Sequence, residues 1–308
     1  MSADPKADRP EQQRGPVLER IPTKNADVGG VTVRRAIPTR ARRTVGAWCF
    51  LDHLGPTVTT PETGMNVGPH PHIGLQTFTW MLEGEVMHND SLGYKQVIRP
   101  GQVNIMTAGR GIAHAEESLG SGKMHASQLW IALPDSQRHC EPAFSHHPIL
   151  PQTRIQEVEV TLLAGQSFGL QSPVQVYSEL VGADLAAATA TTADIPLEPG
   201  FEHAILCLEE SAVIDGERIV PGELFYLGSD RQSIEIQFEA GGHLLLIGGT
   251  PFEEPVLMWW NFVARSADEI QQASEDWNAG RNFGDVAGTD LPRLAAPEFN
   301  GARIRPAS

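Results

Sequence analysis

The stretch WMLEGEVMHNDSLGYKQVIRPGQVNIMTAG, residues 80–109, decides the fold that we expect for this chain. Its short runs of β-branched and aromatic residues are separated by Gly, Pro, Asn and Asp, which is typical of strands joined by tight turns. A second stretch, LCLEESAVIDGERIVPGELFYLGS at residues 206–229, has the same order of leucine and glutamate, a hairpin, and a Pro-Gly turn before another strand. Self-similarity of this kind predicts a duplicated β-domain.

Strand-like runs continue outward from both stretches, and a polar segment with prolines interrupts them at residues 146–154. A chain of 308 residues is long enough for two domains of ordinary size. We therefore predict an all-β protein with a flexible N-terminal arm over residues 1–20, a first barrel over residues 21–150, and a second barrel with a helix and a tail over residues 151–308.

The clearest helical pattern lies in SADEIQQASEDWNAG, residues 266–280. Ser266 and Glu269 have the spacing of a capping box, and Gly280 follows the last turn. Apolar residues recur at helical intervals between them, so we expect one C-terminal helix that packs on a barrel.

Composition makes several classes of partner unfavourable. The 38 acidic and 23 basic side chains give a formal charge of -15, which disfavours direct binding to nucleic acid or to anionic lipid. The three cysteines lie in no C-x-x-C pattern, so we expect reduced thiols. No stretch reaches the roughly 20 apolar residues of a membrane span, and the N-terminus has no apolar signal region. We predict a cytoplasmic monomer.

Two short motifs carry the candidate chemistry. In GPHPHIGL, residues 68–75, His70 and His72 are two positions apart and would face the same side of a strand. In GRGIAHAEES, His114 and Glu116 repeat that spacing after a glycine-rich turn. The 41 residues between the two pairs leave room for a hairpin, so both pairs could face one cavity.

Three imidazoles and one carboxylate suit a single divalent ion, with Fe, Ni, Mn, Cu and Zn as candidates, and an octahedral ion would keep two positions open. A single His-x-His motif also occurs in ordinary turns, and only the second pair favours a metal site. Among the other histidines, we expect His88 to be hydrogen-bonded in a turn, His146 and His147 to lie in a solvated loop, and His53 to be a weaker candidate for the site region.

The chain resembles the pirin family of bicupins over most of residues 30–285. The resemblance rests on HPHIGLQTFTWMLEGEVMHNDSLG, PGQVNIMTAGRGIAHAEE and EEPVLMWWNFVARSADEIQQASEDW, in this order and spacing. It implies two cupin barrels of the jelly-roll type, packed face to face. It also implies one metal ion, most often iron, in the first barrel, held by the residues that match His70, His72, His114 and Glu116.

The second barrel of this family usually lacks a metal, and here the matching stretch GFEHAILCL offers only His203, which we expect to be packed or at the surface. Ile73 and Gln76 depart from the family pattern, which often has a basic residue and a glutamate there. We expect these two changes to make the pocket entrance less charged. Trp80, Met81 and Met106 are expected in the core rather than in the cavity wall.

The resemblance implies an oxidoreductase of the quercetin 2,3-dioxygenase type, which would cleave a flavonol or a related enol or catechol with dioxygen. Glu116 is the candidate proton acceptor in that reaction. The alternative is a metal-dependent, redox-sensing module that regulates a protein partner. A purely structural metal is a weaker hypothesis, because a structural site normally has no open position.

Overall fold

The computed structural model describes residues 15–60 and 62–299, which form 25 strands and one α-helix. In chain order these are β1 (Pro16–Ile21), β2 (Lys24–Val28), β3 (Val31–Ile37), β4 (Trp48–Thr59), β5 (Asn66–His72), β6 (Leu75–Glu83), β7 (Val86–Asp90), β8 (Lys95–Ile98), β9 (Val103–Thr107), β10 (Ile112–Ser118), β11 (Gly122–Ala132), β12 (Ala143–His147), β13 (Gln152–Ile155), β14 (Val158–Ser167), β15 (Leu170–Gln171), β16 (Leu180–Ala187), β17 (Thr191–Pro196), β18 (Glu202–Glu209), β19 (Ala212–Ile214), β20 (Glu217–Ile219), β21 (Leu224–Gly228), β22 (Ser233–Phe238), β23 (Gly242–Gly249), β24 (Leu257–Trp259), β25 (Phe262–Ala264) and α1 (Ala267–Asn278). The predicted all-β class and the C-terminal helix are confirmed.

The strands form two barrels with the same topology. The first combines a large sheet, in the order β12-β9-β6-β11-β4-β3-β2, with a small sheet, β5-β10-β7-β8. The second combines β1-β21-β18-β23-β16-β14-β13 with β17-β22-β19-β20, and β15 adds to β14. Each strand of the first barrel has a counterpart at the same position of the second, which has only β15 in addition, so the duplication expected from the repeated stretches is present in the fold.

The N-terminal strand β1 corrects part of the predicted flexible arm. Residues 1–14 lie outside the described residues, but Pro16–Ile21 pairs antiparallel with β21 and takes the edge position that β12 has in the first barrel. Ile21 is 1% exposed, and Arg231 donates a hydrogen bond to the Val17 carbonyl at 3.0 Å. Residues 16–20 are thus held by backbone pairing and by the burial of the next side chain, so the prediction of a flexible arm is wrong for them.

The two barrels share one hydrophobic core. The largest cluster of buried side chains takes Trp48 and Phe78 from the first barrel, and Tyr226 and Leu245 from the second. Trp48 also crosses the interface, because its Nε1–H faces the carbonyls of Val181 and Gly248, each at 3.1 Å. The large sheets therefore pack face to face, as the resemblance implies.

The C-terminal helix packs on the first barrel, although the predicted domain division groups it with the second. Trp277 and Phe262 are buried in one cluster with Ala113 of the small sheet. Phe262 also forms an isolated bridge with Ile73. The capping box at Ser266 is present as predicted. The segment that follows the second barrel in sequence thus packs back on the first barrel and covers its small sheet.

All three cysteines are free, and Cys49 and Cys207 are buried. Within residues 15–60 and 62–299, no helix has the length and apolar character needed to cross a bilayer.

Candidate metal centre

Neighbouring strands bring His70, His72 and His114 together inside the first barrel. Strand β10 lies between β5 and β7, with His114 opposite His70 on one side. One ring nitrogen from each histidine lies within 4.8 Å of those of the other two, and the three residues are 6%, 1% and 1% exposed. The spacing of two within each motif therefore places these three side chains as the sequence predicts.

Backbone carbonyls determine which nitrogen carries the proton in two of the three rings. The Nδ1–H of His70 donates to the Gly68 carbonyl at 2.9 Å, and the Nδ1–H of His72 donates to the Asn261 carbonyl at 3.0 Å. A carbonyl can only accept, so Nδ1 must be the protonated nitrogen in both neutral rings. Their Nε2 atoms therefore carry lone pairs.

A buried His-Asp pair orients the third ring. Asp90 accepts a hydrogen bond from Nε2 of His88 at 2.9 Å, and in a His88 ring that carries only this proton Nδ1 is an acceptor. Nδ1 of His114 lies 3.3 Å from that acceptor and donates to it. Nε2 of His114 therefore carries a lone pair as well.

Three unprotonated Nε2 atoms thus converge. Those of His72 and His114 are 3.1 Å apart, a distance at which two lone pairs repel each other unless a cation lies between them. Metal-bound histidines commonly donate their other ring N–H to a carbonyl or to another second-layer acceptor, as all three rings do here. These residues fit one metal ion.

Burial keeps these imidazoles neutral. It lowers the pKa of His70 to about 4. The hydrogen bond to Gly68 opposes this shift, and the nearby His88 adds to it. Burial also lowers the pKa values of His72 and His114 well below their usual range, and the neighbouring histidines add to this effect. At neutral pH the three rings are therefore in the form that coordinates a metal.

Glu116 lies beside His114, at one side of the group of three histidines. The pairing of β10 with β5 shifts register between His114 and Glu116, an irregularity of the kind that changes where a side chain points. The Glu116 carboxylate belongs to a second group, with His88 and His114, whose ligand atoms lie within 4.8 Å of one another. Burial raises its pKa, and His88 partly opposes that effect.

The histidines and Glu116 line a cavity of about 490 Å³ between the two sheets of the first barrel. Phe50 and Trp130 form a stacked aromatic pair in its wall, with ring centroids 4.1 Å apart. The Arg35 guanidinium forms a bidentate ion pair with the Asp52 carboxylate, in which Nε donates to Oδ1 at 2.8 Å and Nη2 donates to Oδ2 at 2.7 Å. Its walls are thus mainly apolar, with a few fixed polar groups, as in many small-molecule sites.

The structure places the other histidines partly as predicted and partly elsewhere. His53 contacts His125 and does not line the cavity that the predicted ligands line. His146 and His147 are in strand β12, and His146 bonds Asn104 at 2.7 Å, so the prediction of a solvated loop is wrong for them. The break expected at residues 146–154 begins inside this strand.

The three side chains expected in the core, Trp80, Met81 and Met106, all belong to core clusters, and Met81 also lines the cavity. Ile73 and Gln76 do not line it. Gln76 is buried and donates to Thr107 Oγ1 at 2.9 Å, so neither change alters the charge of the cavity wall. His203 is 1% exposed and packed in the second barrel.

Sequence reasoning assigned no site role to His88, Asp90 or Asn261. The first two form another pair with a spacing of two, in VMHND, directly before a turn. That repeated period is the signal that could have identified them. Asn261 is about 190 positions from His72 and contributes only its backbone carbonyl, so no sequence pattern identifies it.

Comparison with known proteins gives a consistent result over most of the chain. The family model described as Pirin matches residues 30–131, and the one described as Pirin C-terminal cupin domain matches residues 182–283. A protein of Pseudomonas aeruginosa named "Putative quercetin 2,3-dioxygenase PA1205" is 52% identical over 91% of this chain and 90% of its own length.

Two further relatives agree. A pirin-like protein of Caulobacter vibrioides is 38% identical over 90% of this chain and 96% of its own length. The crystal structure of a quercetin 2,3-dioxygenase from Acinetobacter baumannii has a TM-score of 0.92 at 46% identity, and the match covers 94% of this chain and 98% of that one.

Proposed function

This chain belongs to the pirin family of bicupins, and from that premise we propose that it is a mononuclear metal enzyme of the quercetin 2,3-dioxygenase type. Its substrate would be a flavonol or a related enol or catechol, cleaved with dioxygen. The observation that carries the proposal is the convergence of three Nε2 lone pairs, from His70, His72 and His114, at the wall of a cavity of about 490 Å³.

The three imidazoles would hold a divalent first-row ion, with iron as the first candidate and Ni, Mn, Cu or Zn as alternatives. Glu116 would be a fourth ligand. Such an ion supplies a Lewis acid and open positions for oxygen ligands. Three to four protein ligands at a cavity suit a reactive site better than a purely structural one.

The protein's own residues explain how an aromatic enol or catechol would bind. The apolar walls and the stacked Phe50–Trp130 pair would exclude water and guide a flat ring system toward the histidines. Arg35, fixed by Asp52, would interact with polar groups at the distal end of the substrate. Glu116, whose pKa is raised by burial, would take the proton from the substrate hydroxyl.

The test is oxygen consumption with a panel of flavonols and catechols, using protein loaded separately with Fe, Ni, Mn and Cu. Turnover is expected with at least one metal. His70→Ala should abolish it by removing a ligand, and Glu116→Gln should lower kcat by about 10²–10⁴-fold by removing a proton acceptor. Glu117→Gln is the matched control because it changes the next carboxylate along the same strand, on the other face.

Absence of turnover with every metal would contradict the enzymatic proposal. If, in addition, a protein partner bound with an affinity that depended on the oxidation state of the iron, the redox-sensing module would become the better description.

A further inference from the structure

A second cluster of metal-binding side chains lies where the two barrels meet. Glu83 ends β6, His125 lies on β11, and Glu209 ends β18, and one ligand atom from each lies within 4.8 Å of the other two. His125 is 1% exposed, whereas the two carboxylate side chains are 36% and 37% exposed. None of the three lines the cavity of the first barrel.

The duplication explains why these side chains meet. Glu83 is paired with His125 between β6 and β11, and Glu209 is paired with His243 between the equivalent strands β18 and β23. Each large sheet thus carries a Glu-His pair at the same position. Because the sheets pack face to face, Nδ1 of His125 comes to 3.5 Å from Oε1 of Glu209 in the other barrel.

That separation suits two ligands of one ion. A charge-assisted hydrogen bond between such groups is usually about 2.7–2.9 Å long. Two ligands of a tetrahedral zinc ion, each about 2.1 Å from the metal, lie about 3.4 Å apart.

One carboxylate oxygen at the same place has no hydrogen-bond partner in the protein. Among the residues that the structure describes, nothing bonds the buried Oε2 of Glu83. A buried polar atom without a partner is rare and indicates a water or an ion.

His53 sets the orientation of the histidine. Nε2 of His53 is 2.8 Å from Nε2 of His125, and when His125 donates this hydrogen bond its Nδ1 keeps the lone pair that faces the carboxylates. The second barrel repeats the arrangement, because Asp184 accepts from Nε2 of His243 at 2.7 Å. Donation of the other ring N–H to an acceptor is characteristic of a metal-bound histidine.

We propose that Glu83, His125 and Glu209 form a second metal site, which binds a divalent first-row ion such as Zn²⁺ and links the two barrels. One imidazole and two carboxylates are ligands that zinc accepts in proteins, and a water would complete the tetrahedron. The incoming ion displaces Lys123, whose Nζ lies 3.4 Å from Glu83 and whose side chain is 68% exposed and free to turn into solvent.

The first experiment counts zinc ions per chain by titration of chelator-treated protein. The wild-type chain binds two, one at each centre, and Glu209→Gln binds one, with the affinity of the lost site reduced more than about 100-fold. Glu85→Gln is the matched control, because Glu85 is 42% exposed and pairs with Arg99 outside the cluster, so this variant still binds two. A zinc count that is the same in Glu209→Gln as in the wild-type chain overturns the proposal.

Two neighbouring changes sharpen the test without removing a ligand. Lys123→Met tightens zinc binding at this site because it removes the competing cation. His53→Ala weakens binding about 10–100-fold, as loss of an orienting hydrogen bond commonly does. Unchanged affinity in both variants would contradict the assigned ligand geometry.

A second experiment separates this site from the first centre. In the double variant His70→Ala, His114→Ala, zinc at about 100 times its Kd should raise Tm by about 4 °C, because the ion binds only the folded, joined barrels. Adding Glu209→Gln should remove this rise. If the first centre binds no zinc, the wild-type chain and the double variant each bind one equivalent, and Glu209→Gln removes it from both.

Discussion

At the scale of single residues, the candidate site depends on which ring nitrogen is protonated. Nδ1 of His114 has an acceptor only because Asp90 holds the proton of His88 on the far nitrogen. His88 also stacks on Phe144, with ring centroids 4.3 Å apart, so its ring cannot turn freely. A residue that is not a ligand therefore controls the direction of a ligand's lone pair.

We predict that His88→Leu lowers the affinity of the first centre for a divalent metal by about 10–100-fold, because His114 loses the acceptor for its Nδ1–H. His88→Gln should lose less, since its amide oxygen can accept the same hydrogen bond. Metal titrations of the three proteins measure this order. Equal affinities in wild type and His88→Leu would refute the orienting role.

His203 predicts part of the acid sensitivity of the second barrel. Burial, with a smaller effect from Arg231, lowers its pKa to about 4 in the folded protein, from about 6.5 in the unfolded chain. Between these values the unfolded chain binds a proton that the folded protein does not, so the free energy of unfolding falls as the pH is lowered.

The slope from this residue is about 1.4 kcal/mol per pH unit, for a total on the order of 3 kcal/mol. In His203→Leu the slope of the free energy of unfolding against pH should be smaller by about 1.4 kcal/mol per pH unit between pH 6.5 and 4. Urea unfolding at several pH values measures it. His139→Leu, which removes a histidine from an exposed position, is the matched control.

At the scale of elements, β1 connects the N-terminal segment to the second barrel. Its backbone pairs with β21, and Ile21 enters the core that the barrels share. We predict that Ile21→Ala lowers the free energy of unfolding by about 2–5 kcal/mol, since it leaves a cavity at a fully buried position. Val58→Ala, at a side chain that is 74% exposed, should change it by less than about 0.5 kcal/mol. A loss in Ile21→Ala as small as that in Val58→Ala would show that β1 adds no packing energy.

At the scale of the whole molecule, the interface between the barrels is continuous with their cores. Trp48 is 1% exposed, packs edge to face on Phe78, and bonds two carbonyls of the other barrel. The C-terminal segment, in turn, covers the small sheet of the first barrel and supplies the Asn261 carbonyl that orients His72. Each barrel therefore depends on chain from the other half.

We predict that the barrels unfold together. Urea transitions followed by tryptophan fluorescence and by far-ultraviolet circular dichroism should coincide, and Trp48→Ala should lower both midpoints, with a loss of about 3–5 kcal/mol. Two separated transitions, or a Trp48→Ala change confined to one of them, would contradict a shared cooperative core.

The sequence alone was sufficient for the class, the duplication, the helix and the three histidines that converge. Each of these follows from a local period: alternation along strands, two similar hairpin stretches, a capping box, and a spacing of two within each histidine motif. Each such period involves residues of one or two neighbouring elements, so it can be recognised in the linear sequence. The arm over residues 16–20 and the loop at His146 were predicted wrongly, because their strand pairing uses partners elsewhere in the chain.

Only the tertiary structure decided which distant groups meet. The Asn261 carbonyl reaches His72, the helix covers the first barrel although it follows the second, and His125 meets Glu209 across the interface. The physical reason is that these contacts arise from the packing of whole sheets against each other. A sequence period specifies which face a side chain occupies, but not which face of another element will cover it.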